Sequence, residues 1–275
     1  DYLFMSKISP HIYLCISPRS QATVSEFRML DQLNSFLAED QHKRLEKIST
    51  KTRKEEFLGV RIILLELYQN YERRLGPSPT SRTAVELTQD ELGRPYLRLA
   101  KVHSRDDEGR LNSRMNLQKL HNDTVPSVSL SHSKQWLAAV ISDQSRIGID
   151  LESSNRTVSE ALKRRFFTQH EIQEGVFSDH PIWLWVIKEA VVKCIGTGIQ
   201  ADLTKVVVRM AAAVTLTREN WPIECHSSMP RGEEKVYGFY ASYATQELFE
   251  GKLCVTPFYV CAFAVPTLNE GGNDE

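Results

Sequence analysis

From Ile182 to Ile195 the chain reads Ile-Trp-Leu-Trp-Val-Ile-Lys-Glu-Ala-Val-Val-Lys-Cys-Ile, and Gly196 and Gly198 close the segment. Trp183, Trp185, Ile187, Val191 and Val192 make a helix that is apolar on several sides, so it has to be covered on several sides. Glu189 and Lys193 are four residues apart and share one face of that helix. On a solvated helix they would form a surface ion pair worth roughly 0.3 kcal/mol. On a largely buried one each charge needs a partner, and a metal ion and a phosphate would supply them.

A second pair of carboxylates lies upstream, in Ile147-Gly148-Ile149-Asp150-Leu151-Glu152. In a strand, alternate side chains share a face, so Asp150 and Glu152 point one way while Ile149 and Leu151 point into a core. Two carboxylates on one face repel unless a cation lies between them. Oxygen ligands suit a hard ion, and magnesium keeps waters and takes substrate phosphates as further ligands. Taken alone, the pair reads as an edge strand with a polar outer face.

Three further places offer phosphate contacts. Ser129-Leu130-Ser131-His132-Ser133 ends a strand one hairpin before Asp150, with His132 between hydroxyls. Taken singly, such a histidine is a hydrogen-bonded structural residue. Arg61, in Glu56-Phe57-Leu58-Gly59-Val60-Arg61, sits on the polar side of an apolar helix, and an arginine can fork onto phosphate. Arg94 is held in a rigid Gly93-Arg94-Pro95 turn. Solvated arginines are the default for both.

The rest of the text organises these pieces. A helical signal runs between Ser35 and Tyr71, with Phe57, Val60, Leu64, Leu67 and Tyr71 as one buried stripe, and Gly76, Pro77 and Pro79 stop it. Residues 101–125 are polar and read as an exposed insertion, so Asp106, Asp107 and Glu108 are a solvated loop. Strands are expected over Ser127–Leu130, Trp136–Ser142 and Arg146–Glu152, and helix over Val158–Phe177. Further strands follow over Lys205–Met210, Ala213–Leu216, Val236–Tyr243 and Lys252–Val265. The order is helix then strands, twice, with a seam near 143–146.

Composition removes several classes. Thirty-four basic and 35 acidic side chains in 275 residues leave a net charge of -1, so no global field draws the chain to nucleic acid or an anionic membrane. Cys15, Cys194, Cys225, Cys254 and Cys261 are scattered without a CxxC pair, which points to reduced thiols in a cytoplasmic protein. Ile12 to Ile16 is too short for a signal peptide or a membrane span. The chain starts at Asp1, not Met, and a few residues are expected to precede it.

The motifs together resemble the Sfp-type 4'-phosphopantetheinyl transferases of the holo-acyl-carrier-protein synthase superfamily. The likeness runs from about Leu37 to Gly198. It rests on Gly148-Ile149-Asp150-Leu151-Glu152 and Trp185-x-x-Lys188-Glu189-Ala190-x-x-Lys193, with Ser131-His132-Ser133 upstream and, more loosely, the Arg61 helix and the Arg94 turn. That resemblance implies a magnesium ion on Asp150, Glu152 and Glu189, bridging the pyrophosphate of coenzyme A. It implies Lys193 steadying the pyrophosphate and protonating the departing 3',5'-ADP, Arg61 and His132 on the 3'-phosphate, Arg94 beside the adenine end, and Ser131 as a hydroxyl contact. The family's basic residues before the first long helix have no firm counterpart in Gln41 to Arg44, the turn has arginine where lysine is frequent, and 101–125 is long.

The fold so implied is α+β: two similar halves, 1–144 and 145–266, each a small, mainly antiparallel sheet on a long helix, related by a pseudo-twofold, followed by a flexible tail, 267–275. The site would lie in the cleft between the halves of a monomer. The partner would be an acyl or peptidyl carrier protein of fatty-acid, polyketide, nonribosomal-peptide or siderophore assembly. Its serine hydroxyl needs a base, for which Glu189 and a metal-bound water both qualify. A coenzyme A-binding protein without chemistry and another magnesium-dependent phosphate-ester enzyme are the rival classes. The first does not explain intact acidic residues, and the second does not explain Lys193, His132 and the basic turn together.

Overall fold

The computed structural model describes residues 12–75, 85–100, 125–143, 146–173, 175–197, 201–214, 235–244 and 247–267. The polar stretch 101–124, with Asp106, Asp107 and Glu108, lies outside them, as do Cys225 and the tail after 267.

The architecture is α+β, with antiparallel sheets and helices. Strand β1 (Ile12–Pro18) leads into helices α1 (Arg19–Phe36), α2 (Glu39–Lys47) and α3 (Lys51–Leu75), and a hairpin, β2 (Val85–Gln89) and β3 (Pro95–Leu99), follows. Next come β4 (Ser127–His132), β5 (Trp136–Ser142) and β6 (Gly148–Ser153), short helices α4 (Glu160–Phe166), α5 (Gln169–Gln173) and α6 (Gly175–Asp179), and the long helix α7 (Pro181–Ile195). A 3-10 turn (Leu203–Lys205) introduces β7 (Val206–Val214), β8 (Lys235–Tyr243), β9 (Glu247–Val255) and β10 (Tyr259–Pro266). The strands form a three-stranded sheet in the order β1-β5-β4 and a five-stranded sheet in the order β6-β10-β9-β8-β7.

Three apolar layers hold these parts together. Val60, Leu64, Leu67 and Tyr71 of α3 pack on Leu137, Ala139 and Ile141 of β5, as the stripe in α3 demands. Ile187, Ala190, Val191 and Cys194 of α7 pack on Val260, Ala262 and Ala264 of β10. The opposite faces of both sheets meet each other. Leu14 and Ile16 of β1 and Ala138 and Val140 of β5 share a cluster with Ile149 and Leu151 of β6 and Cys261 and Phe263 of β10. Strands β5 and β10 are covered on both faces, which is why they read as unbroken apolar runs rather than alternating ones.

Several expectations are corrected. Helix α1 falls in text that carried no helical signal. The expected helix Val158–Phe177 is three short helices, and the two expected strands over 205–216 are one strand, β7, with a register shift between Met210 and Ala213. The single run Lys252–Val265 is a hairpin of β9 and β10. Thr256 turns the chain, its hydroxyl accepting from the N–H groups of Phe258 and Tyr259. The four described cysteines, Cys15, Cys194, Cys254 and Cys261, are buried.

Candidate functional site

The site forms where β6, β4 and α7 meet. A Cβ at Gly148 would lie 2.0 Å from the Ala190 carbonyl oxygen and 2.3 Å from the Cys194 nitrogen, so α7 rests directly on the start of β6. Ile149 and Leu151 face the inter-sheet core, and alternation turns Asp150 and Glu152 to the α7 side. There Lys193 Nζ donates to Asp150 Oδ1 at 2.7 Å and to Ser131 Oγ at 3.1 Å, while Ser131 Oγ donates to Asp150 Oδ1 at 2.8 Å. Three residues from three separate elements are thus in direct contact.

Glu152 is paired with Arg156 four residues on, and the Arg156 guanidinium lies over the Trp185 ring. Burial first, and the charge of Asp150 second, hold the Glu189 carboxyl above the usual carboxylate range, against the weaker pull of Lys193 and Arg156. A carboxyl whose proton affinity is raised by a neighbouring carboxylate is what a bound cation relieves, and all three candidate ligands offer hard oxygen donors. The donor set therefore fits a divalent cation such as magnesium. Among the described residues, however, no three His, Cys, Asp or Glu side chains are gathered into a cation cage, because Lys193 and Arg156 hold Asp150 and Glu152.

Lys188, next to Glu189 in the chain, is turned the opposite way. It is fully buried, and its three donors go to Glu171 Oε2 (2.7 Å), the Phe166 carbonyl (3.1 Å) and the Leu203 carbonyl (3.1 Å). Glu171 also closes a capping box, accepting from the Thr168 N–H while Thr168 Oγ1 accepts from the Glu171 N–H. The Thr168-x-x-Glu171 spacing was the signal for this box. Its link to Lys188 spans 17 residues and has no sequence signature.

The basic outposts divide. Half-exposed His132 has Nδ1 3.8 Å from Glu56 Oε2 on α3. Burial lowers its proton affinity, Glu56 opposes that, and Lys193 and Arg61 add to the lowering. Arg19 clamps Glu55 and Glu56 from the other side. Arg61 is only 6% exposed. Its Nε and one terminal nitrogen donate to Gln41 Oε1, the other terminal nitrogen donates to the Phe57 carbonyl, and the guanidinium lies 3.3 Å above the Phe57 ring. Arg44, within the stretch left without a firm assignment in the sequence, is exposed and close to the same ring, and its charge helps depress Arg61's proton affinity after burial. Arg94 reaches across to α7. Its side chain lies against Gly196, where a Cβ would stand 2.9 Å from Arg94 Cδ, and Gly196 caps the helix at φ 86°. A guanidinium there complements the carbonyl end of α7.

Comparison with known proteins bears on part of the chain. Residues 146–242 match the family model described as the 4'-phosphopantetheinyl transferase superfamily. A 95-residue stretch is 30% identical to the 4'-phosphopantetheinyl transferase psf-1 of Bacillus pumilus, covering 32% of this chain and 40% of that protein. The chain thus spans well under half the length of the curated relative it matches, and over that span the expected resemblance is borne out.

Proposed function

We propose that this chain, similar to the 4'-phosphopantetheinyl transferases across residues 146–242, moves the phosphopantetheine arm of coenzyme A to a serine of an acyl or peptidyl carrier protein, releasing 3',5'-ADP. The observation that carries this reading is the contact of Lys193, Asp150 and Ser131 with Glu189 alongside: an ammonium and paired carboxylates from separate elements, at one seam.

Asp150, Glu152 and Glu189 would hold the magnesium ion, which when bound supplies charge neutralisation at the pyrophosphate. The chain's own groups do the rest. Glu189 would take the proton of the attacking serine hydroxyl as the new oxygen–phosphorus bond forms. Lys193 would give its proton to the leaving phosphate oxygen as the bond to 3',5'-ADP breaks. His132 would meet the 3'-phosphate, and Arg94 the adenine end. Because Arg61 is buried and three of its N–H groups go to Gln41 and Phe57, Arg61 would support the nucleotide side from behind, and exposed Arg44 would offer the direct charge. Two pseudo-symmetric halves would enclose the cleft, with the carrier entering from solvent.

The test is to incubate the protein with a carrier protein, coenzyme A and magnesium, and to weigh the carrier. A gain of the arm's mass is expected from the transferase, and none from a phosphatase, a nuclease or a non-catalytic binder. Asp150→Ala, Glu189→Ala and Lys193→Ala should each lower the transfer rate about 100-fold or more while the proteins stay folded by circular dichroism. Full activity in any of the three removes its residue from the mechanism.

A further inference from the structure

Strand β6 ends its sheet on the side away from β10, and there it is met by serine hydroxyls instead of a backbone ladder. The Ile149 N–H donates to Ser129 Oγ at 3.1 Å and the Leu151 N–H to Ser131 Oγ at 3.2 Å. Two serines spaced by two on β4 match two N–H groups spaced by two on β6, since alternate residues share a face or an edge. The two hydroxyls differ in what else they hold. Among the described residues Ser129 Oγ has this bond alone, whereas Ser131 Oγ also donates to Asp150 Oδ1 and accepts from Lys193 Nζ.

A hydroxyl has one proton to give and two lone pairs to fill. Ser131, 5% exposed, uses all three, so nothing is left for a ligand oxygen. Accepting from an ammonium and an amide also polarises the hydroxyl into a stronger donor toward Asp150. We propose that Ser131 is a positioning residue that ties the Asp150 carboxylate and the Lys193 ammonium to the backbone of β6 and to the neighbouring sheet, and not the coenzyme A contact that the resemblance implies. This deepens the transferase reading and rests on it, while Ser129 supplies an internal control that clamps the same strand but touches neither charge.

The experiment compares Ser131→Ala, Ser129→Ala and Ser131→Thr in the full chain. Ser131→Ala should lower kcat about 10- to 100-fold, as loss of a group that orients a ligand or acid does, with the Kd for coenzyme A by calorimetry changed less than twofold. Ser131→Thr keeps a hydroxyl and should recover most of kcat, and Ser129→Ala should leave kcat within twofold. Without turnover, the Lys193 side-chain resonance of carbon-labelled lysine should move in Ser131→Ala and stay in Ser129→Ala. Fivefold weaker coenzyme A binding at unchanged kcat in Ser131→Ala overturns the proposal, as does an unmoved Lys193 resonance. An inactive wild type whose Lys193 resonance still responds only to Ser131→Ala overturns the transferase reading and leaves the positioning of Lys193 standing.

Discussion

Neighbours in sequence, Lys188 and Glu189 do unrelated work because α7 is covered on nearly every side. Lys188 points back into the helix–sheet core and pins α5, the end of α4 and the 3-10 turn through Glu171, Phe166 and Leu203. Glu189 points to the seam. Removing one member of a buried ion pair leaves the other charge uncompensated, so Lys188→Ala should cost about 3–5 kcal/mol in urea unfolding. Lys188→Met with Glu171→Leu should cost much less, because both charges leave together. Equal losses in the two would show that packing, and not charge, is what Lys188 supplies. The sequence showed that both residues sit on a buried helix and need partners, but a helix without a polar face offers no phase to say which turns where. Arg61 misled for a related reason. Its polar neighbours suggested an outward face, yet its partner Gln41 lies 20 residues away on another helix.

Between elements, the tightest constraint on the site is the contact of α7 with β6 at Gly148. Glycine is required there by approach and not by backbone angle: the Ala190 carbonyl and the Cys194 nitrogen occupy the space a methyl group would need. Gly148→Ala should therefore push α7 off the strand that bears Asp150, destabilising by about 1–3 kcal/mol or more. It should also lower transfer more than the stability loss alone accounts for, measured as kcat on the folded fraction. A variant with wild-type melting temperature would mean the helix can shift freely, and the seam would then not be rigid. At this scale the sequence was legible where a local pattern settles the element, as at β5, whose expected bounds Trp136–Ser142 are those observed. It was illegible at β9 and β10, where an apolar run hides a turn made by Thr256 and Pro257, and at α1, whose apolar residues are thinly spread.

The two sheets cannot be covered independently. One face of each packs on its own long helix, but the other faces cover one another, burying Leu14, Ile16, Ala138 and Val140 against Ile149, Leu151, Cys261 and Phe263. Separating the two sheets would expose that layer on both, an apolar surface larger than a folded chain leaves open in water. The order of the elements was readable in the sequence as a change from one run to the next. The shared layer was not, since it depends on which faces of β1, β5, β6 and β10 come together across long stretches of chain. The expectation that follows is one cooperative unfolding transition. Trp136 lies in the inter-sheet layer and Trp183 in the α7 core, so they report on different layers. Single-tryptophan variants keeping one or the other should give the same urea midpoint, coincident with the loss of far-ultraviolet dichroism. Residues 145–275 expressed alone should aggregate. Midpoints that separate, or a folded, monomeric fragment, would show that the layer is not what joins the two sheets, and the contact of β4, β6 and α7 would then have to tolerate relative motion.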